Sequence, residues 1–227
     1  QDDPIYEPLK VWDSNTSQFS TYKIGLNTGA DVPTSGMFSF DLLFAEQYHN
    51  LTNRDIYYIK RSKGGTPLYI NPGIVKGSWN VDFDNIPDGT PKLLLELHQR
   101  FNDAKSFLES NGKELNIIGV LWNQGSSDYI PAEAYNSYET NFTNIIDYIR
   151  NDIAGVSDLP IAFATSPSGS TQFNQTVSDA KWSINDSDDN AYIVNAYNLP
   201  LGPDSLHYAI EGAEDLSVLY YNIIKNW

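Results

Sequence analysis

Residues 115–128 read Leu-Asn-Ile-Ile-Gly-Val-Leu-Trp-Asn-Gln-Gly-Ser-Ser-Asp. The first eight, Leu115 to Trp122, are nearly all apolar, and a polar segment follows at once. A run apolar on both faces predicts a buried strand of a parallel sheet. Parallel strands need crossover helices, and the flanks supply them. Pro91 to Ser110 places Leu94, Leu97, Phe101, Ala104 and Leu108 on one stripe, with Pro in the first turn and Asn111-Gly112 at the end. Ala132 to Ile153 turns Tyr135, Tyr138, Phe142, Ile145, Ile146 and Ile149 inward. Further strands are expected at Pro160–Thr165 and Ala191–Ala196, and further helices at Val177–Ile184 and Ala209–Ile224. Nearer the N-terminus come strand pieces at Lys10–Trp12 and Phe19–Ile24, a helix from Phe38 to Leu51 and a strand from Asp55 to Lys60. Asn27, Gly29, Pro33, Ser35 and Gly36 break regularity, and residues 66–90 read as loop. The alternation predicts an α/β fold with a mostly parallel sheet. With no internal repeat and no compositional boundary, residues 1–227 read as one domain.

Composition excludes several functions. The chain has 227 residues, 14 Lys+Arg against 29 Asp+Glu, so the net charge is 14 − 29 = −15, and the pI is about 4.3. That charge argues against nucleic acid or an anionic membrane as partner, and no apolar run approaches the ~20 residues of a membrane span. Without cysteine there is no disulfide, zinc-thiolate site or thiol nucleophile. Apolar residues at 41% and aromatics at 13% are too many for a disordered chain.

In doubly wound sheets, sites form beyond the carboxyl ends of the strands. Four such loops carry polar residues: Arg61 to Thr66, Asn123 to Asp128, Ser166 to Gly169, and the segment ending Pro203-Asp204-Ser205-Leu206-His207. His49 and His98 fall within expected helices, whereas His207 sits in a loop, three residues after Asp204. On a turn, that spacing lets the carboxylate reach Nδ1 and leave Nε2 free as a base. The bland alternative is that Asp204 or Ser205 caps the last helix and His207 is incidental. Gln124 is equally two-sided, an oxyanion donor or part of a polar turn. Gly64-Gly65-Thr66 lacks the Lys-Ser/Thr of a P-loop. Asp186-Ser187-Asp188-Asp189-Asn190 lacks the glycine and terminal glutamate of a calcium loop, so a solvated acidic loop is the simpler reading. Trp12, Trp79 and Tyr129 could stack on sugars or simply pack.

Taken in order, these loops resemble a known family. Val120-Leu121-Trp122-Asn123-Gln124-Gly125-Ser126-Ser127-Asp128, then Tyr135 and Ile149-Arg150, is similar to the Trp-X-Gln-Gly-Glu-Ser-Asp … Tyr … Arg block of SGNH/GDSL hydrolases, in particular the sialate O-acetylesterase-like group with carbohydrate esterase family six. Asp204-Ser205-Leu206-His207 resembles that group's final Asp-X-X-His block, Gly64-Gly65-Thr66 its Gly-Gly-Thr segment, and Phe38 to Ala45 its second block. The resemblance implies a three-layer α/β/α, flavodoxin-like fold. It implies hydrolysis of an O-acetyl ester on a carbohydrate through an acyl-serine, with His207 as general base, Asp204 as its orienting acid and Gln124 as oxyanion donor. Ser39, Gly65, Gly125 and Asn123 would be oxyanion or substrate-binding positions. No cofactor and no metal is implied.

The sequence departs from that pattern in three places. Ser39 falls where the family has glycine, and Ser126 stands where it has glutamate. The family's nucleophile lies in a Gly-Gln-Ser-Asn motif on the first strand, and neither Ser35 nor Ser62 follows a buried strand in the right place. In the order 2-1-3-4-5 that first strand is central. Its absence from a chain that opens at Gln1 leads to the expectation that an N-terminal fragment or partner chain supplies both strand and serine. The rival reading is a catalytically degenerate relative, serving glycan binding or a structural role in an extracellular or virion assembly. The acidic composition suits a secreted or particle-associated protein acting on neutral or weakly charged glycans.

Overall fold

The computed structural model describes residues 5–23, 39–71, 73, 75–225 and 227. The expected breaks at Asn27, Gly29, Pro33, Ser35 and Gly36 lie outside the described residues, as does Phe38. The chain divides into two compact units, residues 1–64 with 95–116, and residues 65–94 with 117–227.

The first unit is built on a hairpin. Strands β1 (Ile5–Asp13) and β2 (Gln18–Lys23) pair antiparallel, with Val11 opposite Ser20 and Trp12 opposite Phe19. Strand β3 (Ile56–Tyr58) lies parallel to β1, giving the order β2-β1-β3. Helix α1 (Phe40–Thr52) starts two residues later than its apolar spacing predicts. Helix α2 (Leu93–Ser110) contributes Phe107 to an edge-to-face cluster with Trp12 and Phe19, at ring separations of 5.7 and 6.2 Å. Aromatic pairs so arranged add to what area burial alone supplies.

The second unit carries the parallel sheet. Strands β4 (Val120–Trp122), β5 (Ile161–Ala164) and β6 (Ala191–Val194) pair in that order. Every residue of β5 is buried, as a central strand requires. β4 differs from expectation. It is three residues long, not eight, and only Trp122 is buried. Two physical reasons account for this. Gly119 adopts φ +154°, where a Cβ would lie 2.1 Å from the Trp227 ring, so regular extension stops there. Among the described strands, β4 also pairs on one side only, with β5.

The helix expected over residues 132–153 is three pieces: α3 (Ala132–Asn136), α4 (Tyr138–Tyr148) and a π-helical segment, Ile149–Ala154. The first break falls at Ser137, whose hydroxyl donates to the Glu133 carbonyl at 2.7 Å and so competes with the helical ladder. Helices α5 (Gln175–Ser187) and α6 (Ile210–Ile224) both pack against β6, and α4 packs on α5. Phe142 of α4 stacks on Trp122 and meets Phe163 edge-on, tying helix to sheet.

Arg150 ties the ends of β5 and β6. Its guanidinium is buried and donates to the Leu159 carbonyl at 2.9 Å, the Asn190 carbonyl at 3.0 Å and Asp188 at 2.5 Å. The acidic run 186–190 is therefore not merely a solvated loop, because Asp188 is an ion-pair partner. Breaking a fully buried pair costs about 3–5 kcal/mol, and the Asp188 side chain is 27% exposed. Arg150→Ala is expected to lower the unfolding free energy by about 2–3 kcal/mol in urea titrations. A loss below about 0.5 kcal/mol would show that solvent replaces those bonds.

Candidate active site

Two clusters form beyond the carboxyl ends of the second unit's strands. The first is buried and centres on the loop after β4. Gln124 turns its amide inward: Nε2 donates to Asp128 Oδ2 at 2.6 Å and to the Thr66 carbonyl at 3.2 Å. Tyr138 Oη donates to Gln124 Oε1 at 3.1 Å. Asp128, fully buried in a 3₁₀ turn, also accepts the backbone N–H groups of Leu68 and Tyr69 at 3.0 and 3.1 Å. Thr66 Oγ1 accepts the indole N–H of Trp79 at 2.9 Å. Segments far apart in sequence, Thr66 to Tyr69 and Gln124 to Asp128, are thus sewn together by one carboxylate and one amide.

Lys181 of α5 lies beneath this loop. Its side chain is fully buried, and Nζ donates to the carbonyls of Gln124 and Ala164 at 2.5 and 2.6 Å. It therefore bridges the ends of β4 and β5. Gly125 is required here. Its φ is +136°, and a Cβ would sit 2.7 Å from Lys181 Nζ. Burial pulls the Lys181 pKa down to about 7, with the Asp128 charge opposing. Burial pushes Asp128 up to about 6, against the pull of its hydrogen bonds from Gln124, Leu68 and Tyr69 and the charge of Lys181.

The second cluster is exposed. Asp204 Oδ2 lies 2.6 Å from His207 Nδ1, while Asp204 Oδ1 accepts the backbone N–H groups of Leu206 and His207, each at 3.0 Å. These bonds, that with the His207 ring foremost, hold the Asp204 pKa down to about 2, so it remains a carboxylate. The turn is fixed further by Gly202 N–H donating to the His207 carbonyl and by Ser205 at φ +52°. Asp204 caps no helix: α6 starts at Ile210, with Ala209 as its N-cap. With Nδ1 engaged, Nε2 faces outward on a side chain 80% exposed.

The other sequence candidates are placed as follows. Asn123 is exposed at the end of β4, and Gly65 sits in a turn at φ +71°. Ser39 belongs to the first unit, as the N-cap of α1, with φ −139°. That is ordinary extended backbone, so serine in place of glycine imposes no strain there. Sequence reasoning missed Lys181. The available signal was a lysine on the apolar stripe formed by Val177 and Ile184.

The family model described as "Carbohydrate esterase, sialic acid-specific acetylesterase" matches residues 9–225. The chain belongs to this carbohydrate esterase family. A probable carbohydrate esterase of Arabidopsis thaliana, At4g34215, is 32% identical over 102 residues, which span 45% of this chain and 38% of that protein. The X-ray structure of the Arabidopsis thaliana protein AT4G34215 covers 98% of this chain and 82% of its own, with TM-score 0.78 and 20% identity. NanS covers 99% and 89%, with TM-score 0.67 and 13% identity. The carbohydrate acetylesterase XAC1771 from Xanthomonas citri covers 98% and 50%, with TM-score 0.63 and 12% identity. At such identities the structures establish the shared SGNH-type esterase fold.

Within this esterase scaffold, Lys181 makes a prediction about pH. Between about pH 7 and its ordinary 10.5, the unfolded chain keeps the lysine proton that the folded chain has released. More protons on the unfolded state means stability rises with pH across that window. Lys181→Met loses this gain, removes the lysine donor from the Ala164 carbonyl and leaves the Gln124 carbonyl only Tyr138 Oη at 3.3 Å. A buried unpaired acceptor costs about 1–3 kcal/mol. In urea titrations the variant is expected to be less stable, with a deficit that grows from about pH 7.5 to about pH 9.5. A constant or shrinking deficit would contradict a neutralised lysine.

Proposed function

We propose that the protein hydrolyses O-acetyl esters of carbohydrates, with His207 as general base and Asp204 as the group that orients it. One observation carries the reading: a carboxylate fixed by two backbone amides and 2.6 Å from Nδ1 sets the imidazole with Nε2 outward. That is the arrangement of a base that takes a proton from a hydroxyl nucleophile and returns it to the leaving group. Attack on the acetyl carbonyl forms an acyl-enzyme and expels the sugar alkoxide, which takes the proton from His207. Water, deprotonated by His207, then adds to the acyl carbon; the bond to the nucleophile's oxygen breaks, that oxygen retakes the proton from His207, and acetate leaves.

In this reading the nucleophile is a serine on a strand that adds beside β4. Supporting it are the pairing of β4 with β5 alone among the described strands and the partial exposure of Val120 and Leu121. An open edge of that kind is a ready template for a further strand. The oxyanion would be held by backbone N–H groups near Gly125 and by Asn123, since both N–H bonds of the Gln124 amide already have acceptors. Gln124 then shapes the loop and does not donate directly.

The same committed amide is what favours the second reading, a glycan-binding relative without turnover. Hydrolysis of para-nitrophenyl acetate by the full-length protein separates the two. His207→Ala is expected to lower kcat by about 10³-fold or more, and Asp204→Asn, which keeps the shape and removes the charge, by about 10²–10⁴-fold. Equal rates for wild type and His207→Ala would remove the catalytic role.

A further inference from the structure

The loops leaving the carboxyl ends of β5 and β6 line an open, shallow cleft of about 370 Å³. Ser168 and Gly169 come from one loop, and Tyr197, Asn198, Leu201 and Ser205 from the other. Ser205 stands inside the turn that pairs Asp204 with His207, so the cleft and the dyad share a wall.

Tyr197 is the cleft's aromatic surface. It is 41% exposed, and its ring meets Phe173 edge-on at 5.7 Å. Its backbone is pinned on both sides. The N–H donates to Asn195 Oδ1 at 3.2 Å, and the carbonyl accepts the Ser168 N–H at 2.9 Å and the Ser168 hydroxyl at 3.1 Å. A fixed backbone and one edge-on ring contact reduce the ordering that remains to be done on binding. Around it, Ser168, Asn198 and Ser205 supply uncharged donors and acceptors.

Charge narrows the ligand. Among the described residues, none that lines the cleft is charged. Between residues 151 and 224 the only Lys or Arg is Lys181, and its ammonium is buried on two backbone carbonyls. A ligand carboxylate seated here would lose hydration, gain no cation from these walls and approach the Asp204 carboxylate. An uncharged ring meets none of these costs.

We infer that this cleft is the sugar subsite of the esterase proposed above, that Tyr197 is its stacking platform, and that it selects an uncharged O-acetylated pyranoside over an acetylated sialic acid. The inference rests on the esterase reading for the reaction but not for the binding. Three substrates test it with the full-length protein: an O-acetylated methyl glucopyranoside, O-acetylated N-acetylneuraminic acid and para-nitrophenyl acetate. The glucoside is expected to be hydrolysed with kcat/KM about tenfold or more above the sialate. Tyr197→Ala is expected to raise KM for the glucoside about fivefold to tenfold, a larger penalty than on para-nitrophenyl acetate, and Tyr197→Phe to restore it. Preference for the sialate, or an unchanged KM in Tyr197→Ala, overturns the assignment. If wild type hydrolyses none of the three, the esterase reading fails alone. Saturation-transfer NMR with methyl glucopyranoside and N-acetylneuraminic acid then decides the cleft. Signal from the glucopyranoside only, lost in Tyr197→Ala, sustains it; equal signals, no signal, or signal that survives the substitution overturns it.

Discussion

A single buried lysine governs the second unit's functional end. Lys181 Nζ holds the carbonyls of Gln124 and Ala164, just past β4 and at the end of β5. Burying that charge is costly and has to be compensated by hydrogen bonds and a nearby countercharge. Asp128 supplies the countercharge, and its own burial is tolerable because three donors reach it. Each group justifies the next: Gly125 leaves room for the lysine, Tyr138 closes on Gln124, and Thr66 takes the remaining amide N–H. The loop after β4 therefore has one shape, determined from below.

The exposed dyad is built on the opposite principle. Asp204 and His207 are three residues apart, and the three bonds that Asp204 accepts from Leu206 and His207 are local to one turn. A local turn needs little from the core, so the pair can sit in solvent and remain ordered. In the reading proposed above, substrate would meet a base on a short turn tied to the loop after β5 by the Thr171 N–H, which donates to the Ser205 carbonyl at 2.9 Å. Tyr197, its backbone held by Ser168 and Asn195, lies along the cleft.

Much of this was legible in the sequence. Apolar runs marked the three strands of the parallel sheet, and helical spacing marked α1, α2, α4, α5 and α6, with ends displaced by a few residues. The Asp204–His207 contact was one of two readings that the spacing allowed, and the family assignment followed from the order of the loop motifs. Other features were not legible, because they depend on what a residue meets in space. Leu115 to Trp122 reads as a fully buried strand, yet the pairing of β4 on one side leaves most of it partly exposed. Gln124 reads as a free donor, but both its N–H bonds are taken by residues 4 and 58 positions away.

The alternation of strands and helices, the acidic charge and the family are written in composition, short-range periodicity and the order of motifs, and so were readable without coordinates. Only the folded chain reveals Lys181 as a clamp, Asp128 as its countercharge, Arg150 as a tie between strand ends and the pairing of Asp204 with His207. The reason is physical. A buried ion changes its pKa, its partners and its function according to groups brought close by packing, and sequence separation does not encode that proximity.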